Sequence, residues 1–340
     1  MVSFQQKLAA GLDKRGVGVC YSLDDHPYRS VLVIGGTRDL KGLWRARKRG
    51  CPIVQRLDGM NWLHRRLGLR AVGLRHYLRS EYGNALLGLI RGRFADRIVY
   101  QSEFSRRWWE ESRGRTRVEV RVIHNGVDLE AFNPVGAGSP PADRWRVLMV
   151  EGSLMGGYEH GLSTAIQLMQ ILAAQLNTRE PGAFPGVLEL AIAGRVSETV
   201  RTRWEIHLAG KETSLELNWV GVVPHAQIPS LDRSAHLLYS ADINPACPNS
   251  VIEALACGLP VVSFATGALA ELVEADAGAV VPYGGDPWKL DPPDTQTLAV
   301  EAYRLLEDLD RFRTGARQRA VSNFGLDQMV DAYMEVLLEG

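Results

Sequence analysis

The sequence predicts an α/β protein built from two successive parallel-sheet domains, and three observations predict it. Short apolar runs alternate with helical patterns along the whole chain. A Pro/Gly/Ser-rich stretch at residues 133–143, NPVGAGSPPAD, divides the chain into two parts of ordinary domain size. The two parts also carry opposite charge. Residues 1–140 hold 25 Lys+Arg against 13 Asp+Glu, and residues 141–340 hold 14 against 26, so a net charge of zero conceals a basic half and an acidic half.

Element by element, residues 4–14 form a helical pattern, and residues 18–23, 31–34, 53–57, 98–101 and 120–124 are strand candidates. A second helical pattern covers residues 84–94. Beyond the break, strands are expected at 147–150, 188–193, 217–220, 237–239, 261–264 and 279–281, with a helix at 163–175. The last segment, 326–338, places Met329, Val330, Tyr333, Met334 and Leu337 at helical spacing. The expected domains are therefore 1–135 and 144–322, with 323–340 as a terminal helix. With 340 residues, 46% hydrophobic and 23% charged, each part can bury its own core.

Several function classes are disfavoured. Cys20, Cys51, Cys247 and Cys257 lack metal-ligand or paired spacing, which points to reduced thiols and a cytoplasmic setting. No apolar run reaches membrane-spanning length. His26, His64, His76, His207, His225 and His236 have no zinc spacing, and neither a Gly-x-Ser-x-Gly elbow nor a Walker loop is present. The Asp308-Leu309-Asp310 triplet lies in a polar helical stretch and reads as surface. Aromatic residues near the basic half form no nucleic-acid reading motif, so nucleic acid is not an expected partner. An arginine-rich stretch at residues 63–93 (Arg65, Arg66, Arg70, Arg75, Arg79, Arg91, Arg93) is interspersed with leucines. It is a candidate for peripheral contact with an anionic membrane, the alternative being a solvated basic surface.

Residues 241–283 are the most informative. A strand end leads through Pro248-Asn249-Ser250 into a short helix carrying Glu253, which Gly258-Leu259-Pro260 stops before the strand Val261-Val262-Ser263-Phe264. Ligands of parallel sheets sit at such carboxyl strand ends. Backbone N–H groups of Asn249, Ser250 and Val251 at the helix start suit a phosphate, and Glu253 lies one turn in, within reach of ribose hydroxyls.

This segment resembles the donor-binding core of the retaining GT-B glycosyltransferases of family 4, also called group 1. The family carries a Glu, seven residues and a second Glu, and then Ala-(Met/Leu)-Ala-x-Gly-x-Pro-Val-Val. Glu253 matches the second Glu, and residues 254–262, ALACGLPVV, match the stretch beyond it. The first Glu, which in the family contacts the donor sugar, falls on Pro245. Residues 95–102 resemble the late strand of the family's first domain, and His124-Asn125-Gly126-Val127-Asp128 its end. The family's opening strand and Gly-rich loop have no counterpart ahead of Phe4, so the first strand is expected to be missing.

The resemblance implies two Rossmann-like, doubly wound parallel-sheet domains facing a cleft. It implies a nucleoside diphosphate sugar donor of the UDP or GDP class, and a glycan or lipid-linked acceptor. Neither cofactor nor metal is implied. Donor contacts are expected from the loop at 151–161, at Gly152, Ser153 and His160, where the family places an Arg and a Lys. Arg195 stands ready to replace the missing cation, unless it is simply a surface arginine. Asn249, Ser250, Val251 and Glu253 complete the donor set. Gly267 serves a tight turn, and Glu271 is either a ligand contact or a helix-start charge. Catalytic candidates are Asp58 and Glu253. Asp58 either contacts the sugar or simply forms a turn with Gly59. Thr37 and Arg38 are expected on the acceptor side. The competing expectation is a non-catalytic GT-B protein that binds glycan or nucleotide or supports a partner, or a transferase using an unusual phosphate-linked donor.

Overall fold

The computed structural model describes residues 4–154, 159–179, 187–209 and 215–338. The chain forms two compact units. One comprises residues 2–126 together with 324–340, and the other comprises residues 127–323.

The first unit contains β1 (Val31–Ile34), β2 (Ile53–Leu57), β3 (Arg97–Tyr100) and β4 (Glu119–Val122), all parallel and in chain order. Its helices are α1 (Phe4–Asp13), α2 (Leu40–Lys48), α3 (Leu63–Val72), α4 (Leu74–Arg93) and α5 (Glu103–Arg113). Alternation along β2 and β3 sorts the side chains. Val54 and Val99 face a layer containing Leu8 and Leu12 of α1, whereas Ile53 packs with Leu43 of α2 and Ile90 of α4. Leu57, Ile98 and Tyr100 pack with Trp109 of α5. Asp39 caps α2 by accepting the Gly42 N–H at 2.8 Å, and Ser102 and Ser105 close a capping box on α5.

Residues 18–23, expected as a strand, are not one. They run as irregular chain, with Val19 41% and Tyr21 71% exposed, and β1 is the edge of the sheet. Apolar content there marks a segment that comes after Gly16 in the left-handed region (φ +74°) without gaining a ladder partner.

The second unit contains β5 (Trp145–Ser153), β6 (Leu188–Arg195), β7 (Leu215–Gly221), β8 (Leu237–Tyr239), β9 (Val261–Phe264) and β10 (Gly278–Val281), in the order β10-β9-β8-β5-β6-β7. Around them lie α6 (His160–Arg179), α7 (Glu198–Leu208), α8 (Ile228–Arg233), α9 (Asn249–Ala256), α10 (Leu269–Leu272), α11 (Thr295–Glu307) and α12 (Leu309–Asn323). All pairings are parallel, and the strand order reverses between β5 and β8. That reversal is a topological switch point, the place where an open α/β sheet leaves a crevice at its carboxyl edge.

The Pro/Gly-rich stretch belongs to the second unit. Phe132 is buried, Arg317 donates to the carbonyls of Phe132 (2.8 Å) and Leu129 (3.1 Å), and Arg233 donates to those of Asn133 (2.9 Å) and Ala137 (2.8 Å). The boundary between units therefore falls at Gly126/Val127, ahead of the stretch whose composition looked like a linker. The chain returns to the first unit at Phe324. The final helix α13 (Leu326–Leu338) packs Met329, Val330 and Tyr333 with Leu8 and Leu12 of α1. Gly11 allows this approach, since a Cβ there would overlap Val330.

Asp308 and Asp310 are exposed, with Asp308 3.9 Å from Arg311. Arg91 departs from the expected basic surface. It is buried and donates to the Tyr100 hydroxyl (2.8 Å) and the Gly114 carbonyl (2.7 Å), so it holds α4 to β3 rather than facing outward.

Candidate functional site

The switch point of the second unit gathers most of the chemistry. A bulge between Val150 and Ser153 ends the regular ladder of β5, after which Ser153 pairs in register with Arg195 at the end of β6. The Leu154 N–H donates to the Arg195 carbonyl at 2.9 Å. Gly194 (φ +146°) lets β6 run tight against β5, because a Cβ there would overlap the Glu151 carbonyl. Gly152, Ser153 and Arg195 are all exposed at this edge. The guanidinium of Arg195 has no hydrogen bond or ion pair with the described residues. Residues 155–158 of the Gly-rich loop lie outside the described residues.

His160 opens α6, and its carbonyl accepts the hydroxyls of Ser163 (2.7 Å) and Thr164 (3.1 Å). Its ring lines a small cavity together with Ser240, Asp242, Thr266 and Tyr283. The Nε2 of His160 and the Oγ of Ser240 are buried there without a partner among the described residues. Burial lowers the His160 pKa, so the ring is neutral at pH 7 and supplies hydrogen bonding rather than charge.

Two carboxyls missed from the sequence meet at the same place. Glu151 and Asp242 stand above the ordinary carboxylate range, in each case first because of burial, and Glu151 further because Asp242 faces it. Asp242 lies three residues before Pro245 in a segment of small residues, and no local signal distinguishes it. Only the reversal of strand order brings it to Glu151.

α9 begins after Pro248, which makes no side-chain cap, and its first turn lies at the carboxyl edge of the sheet. Asn249 and Ser250 are half-buried and Val251 is buried. Glu253 is 6% exposed and lies 2.8 Å from His225 Nε2, in the turn after β7. The His225 ring in turn packs against Phe132, centroids 5.2 Å apart. Buried Asp232 faces Glu253, and burial together with that charge raises the Asp232 pKa well above normal.

Gly267 (φ +58°) comes just after β9, and a Cβ there would overlap the backbone of Pro245, whose carbonyl accepts the Ala268 N–H at 2.8 Å. Pro245 thus packs against the turn after β9. Glu271 is half-buried in α10, and its carbonyl accepts Arg319 at 2.6 Å.

The remaining candidates belong to the first unit. Asp58 is exposed just past β2, and its carbonyl accepts Trp109 Nε1 at 2.7 Å. The Thr37 hydroxyl accepts the Asp39 N–H at 3.1 Å, and exposed Arg38 lies 5.8 Å from the Tyr82 ring centroid. Among the described residues no group of three or more His, Cys, Asp or Glu is placed to hold a metal ion.

Two parallel-sheet α/β units, one with an uncapped helix start and a glutamate at its switch point, are the GT-B architecture. The family described as Glycosyl transferases group 1 matches residues 150–308, and Glycosyltransferase Family 4 matches residues 36–131; the chain belongs to this glycosyltransferase family. It is 31% identical over 240 residues to a D-inositol 3-phosphate glycosyltransferase of Salinispora arenicola, covering 65% of this chain and 49% of the relative. The chain thus spans about half the length of that relative. Sucrose-phosphate synthase from Thermosynechococcus elongatus shares the fold at a TM-score of 0.66 and 18% identity, over 99% of this chain and 79% of that one. Anabaena HepE in complex with UDP does so at 0.62 and 18%, over 91% and 79%.

Proposed function

We propose that the chain is a retaining, metal-independent glycosyltransferase. It moves a sugar from a nucleoside diphosphate sugar of the UDP or GDP class to a glycan or lipid-linked acceptor. The observation that carries this is the register pair Ser153–Arg195 on the same carboxyl edge as the uncapped start of α9. Arg195 supplies the fixed cation that Ser153 and neutral His160 do not, and the α9 amides add partial positive charge. Glu253, held by His225, takes the ribose.

Leaving-group charge is the largest quantity such a site must stabilise. In the step we propose, the bond from the anomeric carbon to the phosphate oxygen breaks. The acceptor oxygen bonds to that carbon on the same face, and its proton passes to the departing phosphate. No side chain is required as a nucleophile. Asp58 is the catalytic candidate for contact with the transferred sugar, and Thr37 and Arg38 are the candidates on the acceptor side. The complex of HepE with UDP and the name of the inositol-phosphate relative support this class of donor and a hydroxyl acceptor. Release of nucleoside diphosphate from a panel of sugar nucleotides tests it: wild type turns over at least one, and Glu253→Ala greatly weakens that turnover.

A second reading is favoured by neutral His160 and by Pro245, which stands where the resemblance expects a sugar-contacting glutamate. The unit would then bind nucleotide or glycan without turnover, and tight UDP binding with no release from any sugar nucleotide would support it.

Peripheral contact with an anionic membrane is part of the proposal. Leu69, Leu74, Leu78 and Tyr82 are exposed on α3 and α4 beside exposed Arg66, Arg70, Arg75 and Arg79. No helix among the described residues is long and apolar enough to cross a membrane. Flotation with liposomes that increases with anionic lipid is the expected result.

A further inference from the structure

The first unit holds a cavity of about 240 Å³ between α3, α4 and α5. Its wall begins two residues beyond Asp58 and includes Asn61, Trp62, Arg65, Trp108, Ser112 and Arg113. We infer that it binds a sugar or polyol bearing an anionic group. Its role as the acceptor site rests on the transferase reading; the binding itself does not.

The chemistry of the wall carries the inference. Two indoles offer apolar ring surface of the kind that suits the C–H face of a saturated ring. Asn61 and Ser112 supply hydrogen-bonding groups around them. Two arginines and no carboxylate line the cavity. Arg65 is committed to Glu81, through Nε at 2.5 Å and Nη2 at 2.7 Å. Arg113 has no hydrogen bond or ion pair with the described residues. Its guanidinium lies along Gly88 of α4, where a Cβ would come within 3.6 Å. A guanidinium so placed offers a fork to phosphate or carboxylate.

The wall is also built rather than incidental. Buried Asn84 accepts the Asn61 N–H at 2.9 Å and donates to the Asn61 carbonyl at 2.8 Å, fixing the loop that leaves β2. Gly59 lets the Trp108 ring lie against that loop, since a Cβ there would overlap it. A preformed polar cavity of this size suits one small ring and its substituent rather than a polymer chain.

Calorimetric titration of the whole chain with glucose 6-phosphate, inositol 1-phosphate, glucuronate, glucose and inorganic phosphate tests this. At least one anionic sugar is expected to bind about tenfold more tightly than both glucose and inorganic phosphate, the scale of one charge-assisted contact. Binding of glucuronate identifies a carboxylate ligand, and binding of the phosphorylated compounds alone identifies a phosphate. Arg113→Gln is expected to remove the preference, Arg113→Lys to restore part of it, and UDP affinity to stay constant in both. Absence of binding, equal binding of glucose, or an unchanged preference in Arg113→Gln overturns the inference. Failure of the transferase reading shows separately, as absence of UDP binding and turnover.

Discussion

Ser153 and Arg195 stand side by side at the carboxyl edge of the six-stranded sheet, paired in register across β5 and β6. The pairing places Arg195 on the strand next to the one where the resemblance expects a cation. Arg195→Gln is therefore expected to lower kcat/KM for the sugar nucleotide by about 10²–10³-fold, the scale of one lost charge-stabilising donor. Because Arg195 is exposed, the melting temperature should stay unchanged. Steady-state kinetics with parallel thermal melts checks both.

Glu253 holds its place 2.8 Å from His225 Nε2, with buried Asp232 facing it. Glu253→Ala should cost about 10–100-fold in kcat/KM, as expected for a charge-assisted ribose contact. His225→Ala should cost less, since it removes only the group that positions the carboxylate. Kinetics with nucleotide and 2′-deoxynucleotide donors separates them: the deoxy penalty should vanish in Glu253→Ala and persist in His225→Ala.

Gly267 meets the Pro245 backbone with φ +58°. Gly267→Ala should destabilise the second unit by about 1–3 kcal/mol through overlap and left-handed strain. Urea denaturation gives the value, and an unchanged midpoint would show that this turn is not tightly held.

His236 Nδ1 accepts the Arg146 N–H at 3.0 Å, and burial, with Arg313 nearby, lowers its pKa to about 4. A depressed histidine leaves the folded state proton-poor. Its contribution is present above the ordinary value of about 6.5 and is lost as pH falls toward 4. Stability should drop by on the order of 2 kcal/mol between pH 7 and 4.5, and His236→Gln should flatten that limb in urea titrations.

Glu151 and Asp242 act with the opposite slope. Their raised pKa values make the folded state proton-rich, so their contribution to stability is full below the ordinary carboxylate value of about 4 and is lost as pH rises to about 8. Asp242→Asn should raise the melting temperature more at pH 8 than at pH 5. An equal effect at both would show that the two carboxyls do not share this environment.

Much of the fold was legible because parallel strands buried on both faces announce themselves as apolar runs: Val261–Phe264 and Ile53–Leu57 occur where expected. Residues 18–23 carried the same signal without a sheet neighbour, and sequence does not reveal whether an apolar run finds a partner. Glu253 and the start of α9 were readable because helix start, acid and Gly-Pro stop are local. Glu151 beside Asp242, and His225 on Glu253, were not readable, since residues 91 and 28 positions apart meet only through strand order and loop packing. Arg195 was placed at the right edge by its position after an apolar strand. Its pairing with Ser153 needed the register.

The most direct test of a nucleotide-binding second unit is a thermal-shift panel of UDP, GDP, ADP, TDP and CMP on wild type and Arg195→Gln. A ligand at about 100 times its Kd adds about 2.7 kcal/mol, or about 2–4 °C per kcal/mol for a unit of this size. A clear upward shift with one nucleoside diphosphate in wild type, largely lost in Arg195→Gln, is the predicted result. No shift with any nucleotide, or an equal shift in both proteins, would contradict the account.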